Sequence, residues 1–194
     1  MELLERKIQE SGRILPGNVV KVDSFLNHQI DTQLLQLMAY ELKQQLYGIR
    51  VDKVLTIEAS GIAFASFVAQ TYGVNFVFAK KNKTNNISND FYSASVYSYT
   101  HQVENNIIVS KEFLHEGENV LIVDDFLANG CAMNGLISLV NQAKGNVVAI
   151  GVAVEKGFQE GGKVLRQKGY NLHSLAIIDS IDMEHQLITF GKNE

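Results

Sequence analysis

The sequence predicts an α/β domain with a mainly parallel central sheet flanked by helices, and three observations carry that expectation. Lys53 to Ile57, Ile62 to Tyr72 and Val74 to Ala79 read as strand, helix and strand with short connections. That order lays neighbouring strands parallel. Val120-Leu121-Ile122-Val123 is an unbroken apolar run, mostly β-branched, and reads as a strand covered on both faces. A helix over Ala132 to Ala143 and a second apolar strand over Val147 to Val154 continue the alternation.

The remaining elements follow from local patterns. Met1 to Ser11 is charged, with Leu3, Leu4 and Ile8 on one side, and reads as a short amphipathic helix stopped by Gly12. Arg13 to Ile30 has no clear period; Pro16-Gly17 is a turn and Val19 to Val22 a short strand. Asp31 is placed to cap a helix whose Leu34, Met38, Leu42 and Leu46 recur every fourth residue up to Gly48, a core stripe. Lys80 to Asp90 is polar, with Lys80, Lys81, Lys83 and several asparagines, and is expected to be a mobile loop. Phe91 to Thr100 alternates large and small polar residues as a strand does, and Asn106 to Ser110 can pair with it. Glu155-Lys156-Gly157-Phe158 closes the later apolar strand. Val164 to Lys168 reads as a short helix, then Leu172 to Ile178 and Gln186 to Phe190 as strands.

Composition bounds the function. A chain of 194 residues with 46% hydrophobic and 20% charged residues is most simply one globular domain over 1–194. The net charge of −4 argues against a general nucleic-acid or anionic-membrane partner. The single cysteine, Cys131, excludes an internal disulfide framework and fits a cytoplasmic location. No secretory leader is expected, and the longest apolar run, Val147 to Val154, is broken by Gly151 and too short to span a bilayer. The five histidines show no ligand spacing, so no protein-bound metal site is expected. Neither a dinucleotide fingerprint nor a P-loop is present.

The chemistry gathers after the central strand. Asp124 and Asp125 end it, the small residues around Asn129-Gly130 follow, and then a helix begins. Free backbone N–H groups at a loop and helix start suit a phosphate, and carboxylates suit sugar hydroxyls. Adjacent strand residues point to opposite faces, so either the strand ends between the acids or they do different jobs. A pair of solvated acids at a strand end explains them equally well in isolation; the bare-backbone loop beside them favours function. Glu58-Ala59-Ser60-Gly61 is a second strand-to-helix turn, readable as an ordinary turn or as an anion cradle. Glu58, Lys80, Asp124 and Glu155 all fall at the carboxyl edge of the expected sheet, where ligands of open α/β sheets sit.

The run Val120 to Ala132 resembles the phosphoribosyl-diphosphate motif of the type I phosphoribosyltransferases. Its DDFLANG form, with Asn129 where most relatives have Thr, is similar to the bacterial xanthine-using branch, as are Lys21 to Ile30 and Ala94 to Ser98. The resemblance covers nearly the whole chain. It implies a type I phosphoribosyltransferase fold in which 1–35 and 155–194 form a hood over the base, with a flexible β/loop excursion. It implies transfer of 5-phosphoribosyl from phosphoribosyl diphosphate to xanthine, in a homodimer, with Mg2+ carried by the substrate. Asp124 and Asp125 would hold the ribose hydroxyls, Asp125 also being a guess for a general base. Ala128, Asn129, Gly130, Cys131 and Ala132 would wrap the 5′-phosphate; Glu58, Ala59, Ser60 and Gly61 would hold the diphosphate. Lys80 and Lys81 would supply basic groups to it, often across the dimer, although Lys80 stands where Arg is expected. Lys156 and Asn27 would donate to the two exocyclic oxygens of xanthine, with Val20 lining that pocket and Phe158 a candidate to pack on the ring. Phe64 and Asn75 stand where prolines are expected. Guanine or hypoxanthine are alternative substrates. A non-catalytic sensor of phosphoribosyl diphosphate is the rival from another class, disfavoured by the acidic chain and the absence of a basic DNA-binding unit.

Overall fold

The structure is a computed structural model that describes residues 1–81, 90–98 and 103–192. In chain order it runs α1 (Glu2–Ser11), β1 (Arg13–Leu15), β2 (Val19–Lys21), a π-helical turn (Asp23–Asn27), α2 (Thr32–Gln45), β3 (Lys53–Ile57), α3 (Gly61–Tyr72) and β4 (Phe76–Ala79). It continues with β5 (Phe91–Ser98), β6 (Val103–Ser110), β7 (Asn119–Leu127), α4 (Cys131–Gln142), β8 (Asn146–Lys156), α5 (Glu160–Gln167), β9 (Leu172–Asp182) and β10 (Leu187–Gly191). The central sheet has the order β10-β9-β8-β7-β3-β4. All its neighbours are parallel except β10, which returns antiparallel on β9. This is the α/β architecture expected from the alternating pattern.

Strand β7 shows why the apolar run had to be central. Leu121 and Val123 belong to the core layer under α2 and α3, while Val120 and Ile122 belong to the layer under α4. Both faces are covered, so no polar residue is tolerated until the edge of the sheet is reached. The α2 stripe behaves as its spacing predicts: Leu34, Met38, Leu42 and Leu46 are all buried. The Asp31 carboxylate accepts from the Leu34 N–H at 3.1 Å, which satisfies one of the first-turn donors. In α1, Leu4 and Ile8 are buried, but Leu3 is 41% exposed and lies off the apolar side.

The amino-terminal segment is not the irregular stretch its sequence suggests. Three-residue strands β1 and β2 pair antiparallel around the Pro16-Gly17-Asn18 turn, with Gly17 and Asn18 at φ +81° and +56°. Pieces this short leave no readable alternation. Helix α1 packs beside β9 and β10: the Met1 amino group donates to the Leu175 carbonyl, and the Ile188 N–H donates to Gln9 Oε1 at 3.2 Å. The two ends of the chain therefore meet. The β5–β6 hairpin lies on α4, and closely: a Cβ on Gly135 would stand 2.4 Å from Val96 Cγ2. Much of the expected loop from Lys80 to Asp90, including Lys83, and the end of the Phe91 to Thr100 strand lie outside the described residues.

Candidate active site

Strand β7 does not stop at the acids; it runs through both of them to Leu127. The expectation that they terminate it is thus corrected, and the alternation rule then separates them. Asp124 follows Val120 and Ile122 onto the α4 side. Asp125 follows Leu121 and Val123 onto the α2 and α3 side. Each is only 5% exposed. Asp125 is held at both oxygens: Ser60 Oγ donates to Oδ1 and Asn27 Nδ2 donates to Oδ2, each at 2.9 Å. Asp124 Oδ1 accepts the Asp125 backbone N–H at 2.9 Å. Burial first, then the neighbouring Asp125 charge, raises the Asp124 carboxyl well above the ordinary carboxylate range. Gly61 is required here, because a Cβ would stand 2.3 Å from Thr56 Oγ1 and 2.6 Å from Asp124 Oδ1.

Asp124 lies on the wall of a cleft of about 740 Å³ at the carboxyl edge of the sheet. The same cleft is lined by Glu58, Ser60, Lys81, all of Ala128 to Ala132, Lys156 and Gln159. Gly130 takes φ +82° as the residue before α4, a conformation that suits glycine. Its carbonyl accepts from the Asn134 N–H and from Asn134 Nδ2, both at 2.9 Å. The first-turn N–H groups of α4 have no partner within the helix. Loop and helix start together can therefore bind an anion, beside a carboxylate that can accept from hydroxyls.

Alternation also sorts the lysines. Lys81 lines the cleft, and its backbone N–H donates to Glu58 Oε1 at 2.7 Å. Lys80 bridges to Ile108 through both backbone groups and faces a separate recess of about 450 Å³, with its ammonium 6.0 Å from the Phe78 ring centre. At the end of β8 the same rule turns Glu155 inward and Lys156 outward. Glu155 is 3% exposed, bound at 2.8 Å to each terminal nitrogen of Arg166, and accepts from Ser174 Oγ. Of the four edge residues grouped by sequence, Glu58 and Asp124 line the cleft, whereas Glu155 and Lys80 do not. Lys156 Nζ makes one long contact, 3.4 Å to the Asn18 carbonyl, and burial lowers its pKa.

Several expected substrate contacts, for the base and for the diphosphate, stand off the cleft wall in this structure. Val20 is buried in the core, and its neighbours Gly17 and Val19 line the cleft instead. Asn27 is joined to Asp125 rather than facing the opening. Ala59, Gly61 and Phe158 are not on the cleft wall, although they flank residues that are. Two contributors escaped sequence reasoning. Gln159 lies on the wall, and Gly161 in α5 packs against the loop: its N–H donates to the Ala128 carbonyl at 3.1 Å. The Gly161-Gly162 pair was the available signal, since glycines inside a helix mark close approach when something presses on them.

A mainly parallel sheet with two buried acids, a bare-backbone turn at a helix start and a lysine at one carboxyl edge defines, as a class, an α/β protein with a cleft suited to an anion. The phosphoribosyl transferase domain matches residues 21–185, and the chain belongs to that family. It is 51% identical over 191 residues to a xanthine phosphoribosyltransferase of Bifidobacterium adolescentis, covering 98% of this chain and 99% of that one. It is 53% identical over 182 residues to one from Alkaliphilus metalliredigens, covering 94% and 90%. Among solved structures it is similar to an adenine phosphoribosyltransferase of Rhodothermus marinus, with a TM-score of 0.75 at 22% identity over 92% of this chain and 100% of that one. A second, from Thermoanaerobacter pseudethanolicus, gives 0.66 at 28% identity over 76% and 81%.

Proposed function

We propose that the protein transfers the 5-phosphoribosyl group of phosphoribosyl diphosphate to xanthine, releasing diphosphate and forming xanthosine 5′-monophosphate. The observation that carries this reading is that Asp124, the Ala128–Ala132 turn and Lys156 line one cleft. In this reading the turn holds the 5′-phosphate, Asp124 accepts from the ribose hydroxyls, and Glu58 and Ser60 with Lys81 bound the diphosphate side. Asp125, tied to Ser60 and Asn27, fixes the turn and the hood relative to the sugar. Residues 1–35 and 155–194, which meet through Met1 and Gln9, form the hood. As the C1′–oxygen bond breaks and the new C1′–nitrogen bond forms, positive charge develops on the sugar, and the lysines offset the charge of the leaving diphosphate. Among the described residues no three His, Cys, Asp or Glu side chains gather as a cation cage. The carboxylates on the cleft wall, Glu58 and Asp124, are hard oxygen donors of the kind that fit a magnesium ion held mainly by substrate oxygens and water, and such an ion would supply further neutralisation of the diphosphate.

The choice of base follows the half-identical relatives rather than the adenine-using structural neighbours, whose similarity is to the fold. Chemistry agrees, because a lysine ammonium only donates and suits a carbonyl oxygen, not the amino group of adenine. The same reading makes the protein a cytoplasmic homodimer, in which Lys80, facing away from its own cleft, reaches toward a neighbouring subunit. Diphosphate release measured with phosphoribosyl diphosphate, magnesium and each purine in turn tests the reaction. Xanthine is expected to be turned over fastest and adenine not at all; adenine as the best substrate, or no release with xanthine, overturns it.

Lys156→Ala is expected to raise the KM for xanthine about tenfold, with hypoxanthine and guanine affected alongside it and the preference for these bases over adenine narrowed, since one charged hydrogen bond to a carbonyl is lost. An unchanged KM for xanthine counts against its placement at the base.

A further inference from the structure

We infer that Gln159 reads the purine: its side-chain amide accepts a hydrogen bond from a ring N–H beside the carbonyl taken by Lys156. This inference rests on the proposed reaction and adds a residue to it. The side-chain oxygen of Gln159 is buried without a hydrogen-bond partner, and the residue lines the cleft. An amide oxygen withdrawn from water and left unpaired is unfavourable, so such atoms in native proteins call for a partner. The rest of the residue is held firmly. Its backbone N–H donates to the Lys156 carbonyl at 2.9 Å, and the Gly157 N–H donates to the Ile178 carbonyl at 2.8 Å. This closed turn presents both side chains to the same cavity from the end of β8.

The two groups differ in what they can do. Lys156 has donors and no acceptor, whereas an amide oxygen only accepts. A donor and an acceptor delivered together match a carbonyl next to an N–H, the edge that xanthine, guanine and hypoxanthine share. Adenine shows the reverse order, an amino donor beside a bare ring nitrogen, and would leave both protein groups unpaired. Buried groups left without partners give strong discrimination between otherwise similar ligands. The Ala128–Ala132 turn on the same cleft has its own backbone N–H donors for a phosphate, and a phosphate offers nothing to an accepting oxygen.

Gln159→Met keeps the length of the side chain and removes the amide. Initial rates with the full-length protein are expected to show a KM for xanthine raised about tenfold or more, with the KM for phosphoribosyl diphosphate changed less than about twofold. Hypoxanthine and guanine should suffer with xanthine, and weak competition by adenine should not worsen. Gln159→Glu, which retains an accepting oxygen, is expected to keep the xanthine KM within about threefold of the wild type, and this separates the hydrogen bond from mere packing. Equal rises in both KM values, a rise for phosphoribosyl diphosphate alone, no rise at all, or equal damage from Met and Glu would each overturn the assignment. Failure of the reaction itself has a different signature, namely no xanthine turnover by the unmodified protein.

Discussion

Changing Asp124 and Asp125 together to Asn is expected to lower kcat/KM for phosphoribosyl diphosphate by about a thousandfold or more, whichever purine is supplied. The size is that of two hydrogen bonds that Asp124 would accept from the ribose hydroxyls in the proposed reaction, roughly 2 kcal/mol each, with a further loss from loosening the Asp125 tether to Ser60 and Asn27. Near-normal turnover by that variant would remove the basis of the site. Asp124→Asn alone should also stabilise the unliganded protein. Its native carboxyl is raised above the unfolded value, so the native state binds a proton more tightly. Stability then declines as pH rises from the ordinary carboxylate range through the raised native value, and the penalty is fully present above it. The uncharged Asn escapes it. The melting temperature of Asp124→Asn, taken relative to the wild type, should therefore increase with pH across that window; a difference independent of pH would refute the electrostatic account.

The contrast between these two acids shows what a one-dimensional pattern carries. The apolar run, the helix stripe ending at Leu46 and the Asp31 cap were legible because each is a local rule applied to neighbouring residues. Termination of β7 at the acids was the natural reading, since Asp is disfavoured in strands. The strand continues because Asp125 finds its partners in Asn27 and Ser60, 98 and 65 positions earlier in the chain. No periodicity reports such distant partners. The same limit applies to Lys80 and Lys81: the charge run was visible, but which lysine enters the cleft depends on how Lys80 bridges to Ile108. Glu155 was grouped with the site by its sheet position, yet Arg166 and Ser174 turn it inward.

Helix α5 is the clearest case, because its glycines argue against a helix and the fold requires them. Gly161→Ala is expected to raise the KM for phosphoribosyl diphosphate about tenfold to a hundredfold, a size that displacement of a binding group by about 1 Å produces. The added Cβ would stand 2.2 Å from the Ala128 carbonyl oxygen and 2.7 Å from the Gly130 nitrogen. Both are backbone atoms of the Ala128–Ala132 turn, so no side chain can swing aside and either the turn or the helix must shift. Gly162→Ala makes the opposite contrast. Its Cβ would meet Glu155 Oε1 and lie 2.7 Å from Arg166 Nη1, so it strikes the buried ion pair instead of the turn. Separating that pair leaves Glu155 without its counter-charge in a buried position, at a cost of about 3 kcal/mol or more. Titration calorimetry with phosphoribosyl diphosphate and thermal melts should therefore dissociate the two variants: Gly161→Ala loses affinity more than stability, and Gly162→Ala loses stability more than affinity. If both lose the same property to the same extent, α5 is only packing, and it does not set the shape of the Ala128–Ala132 turn.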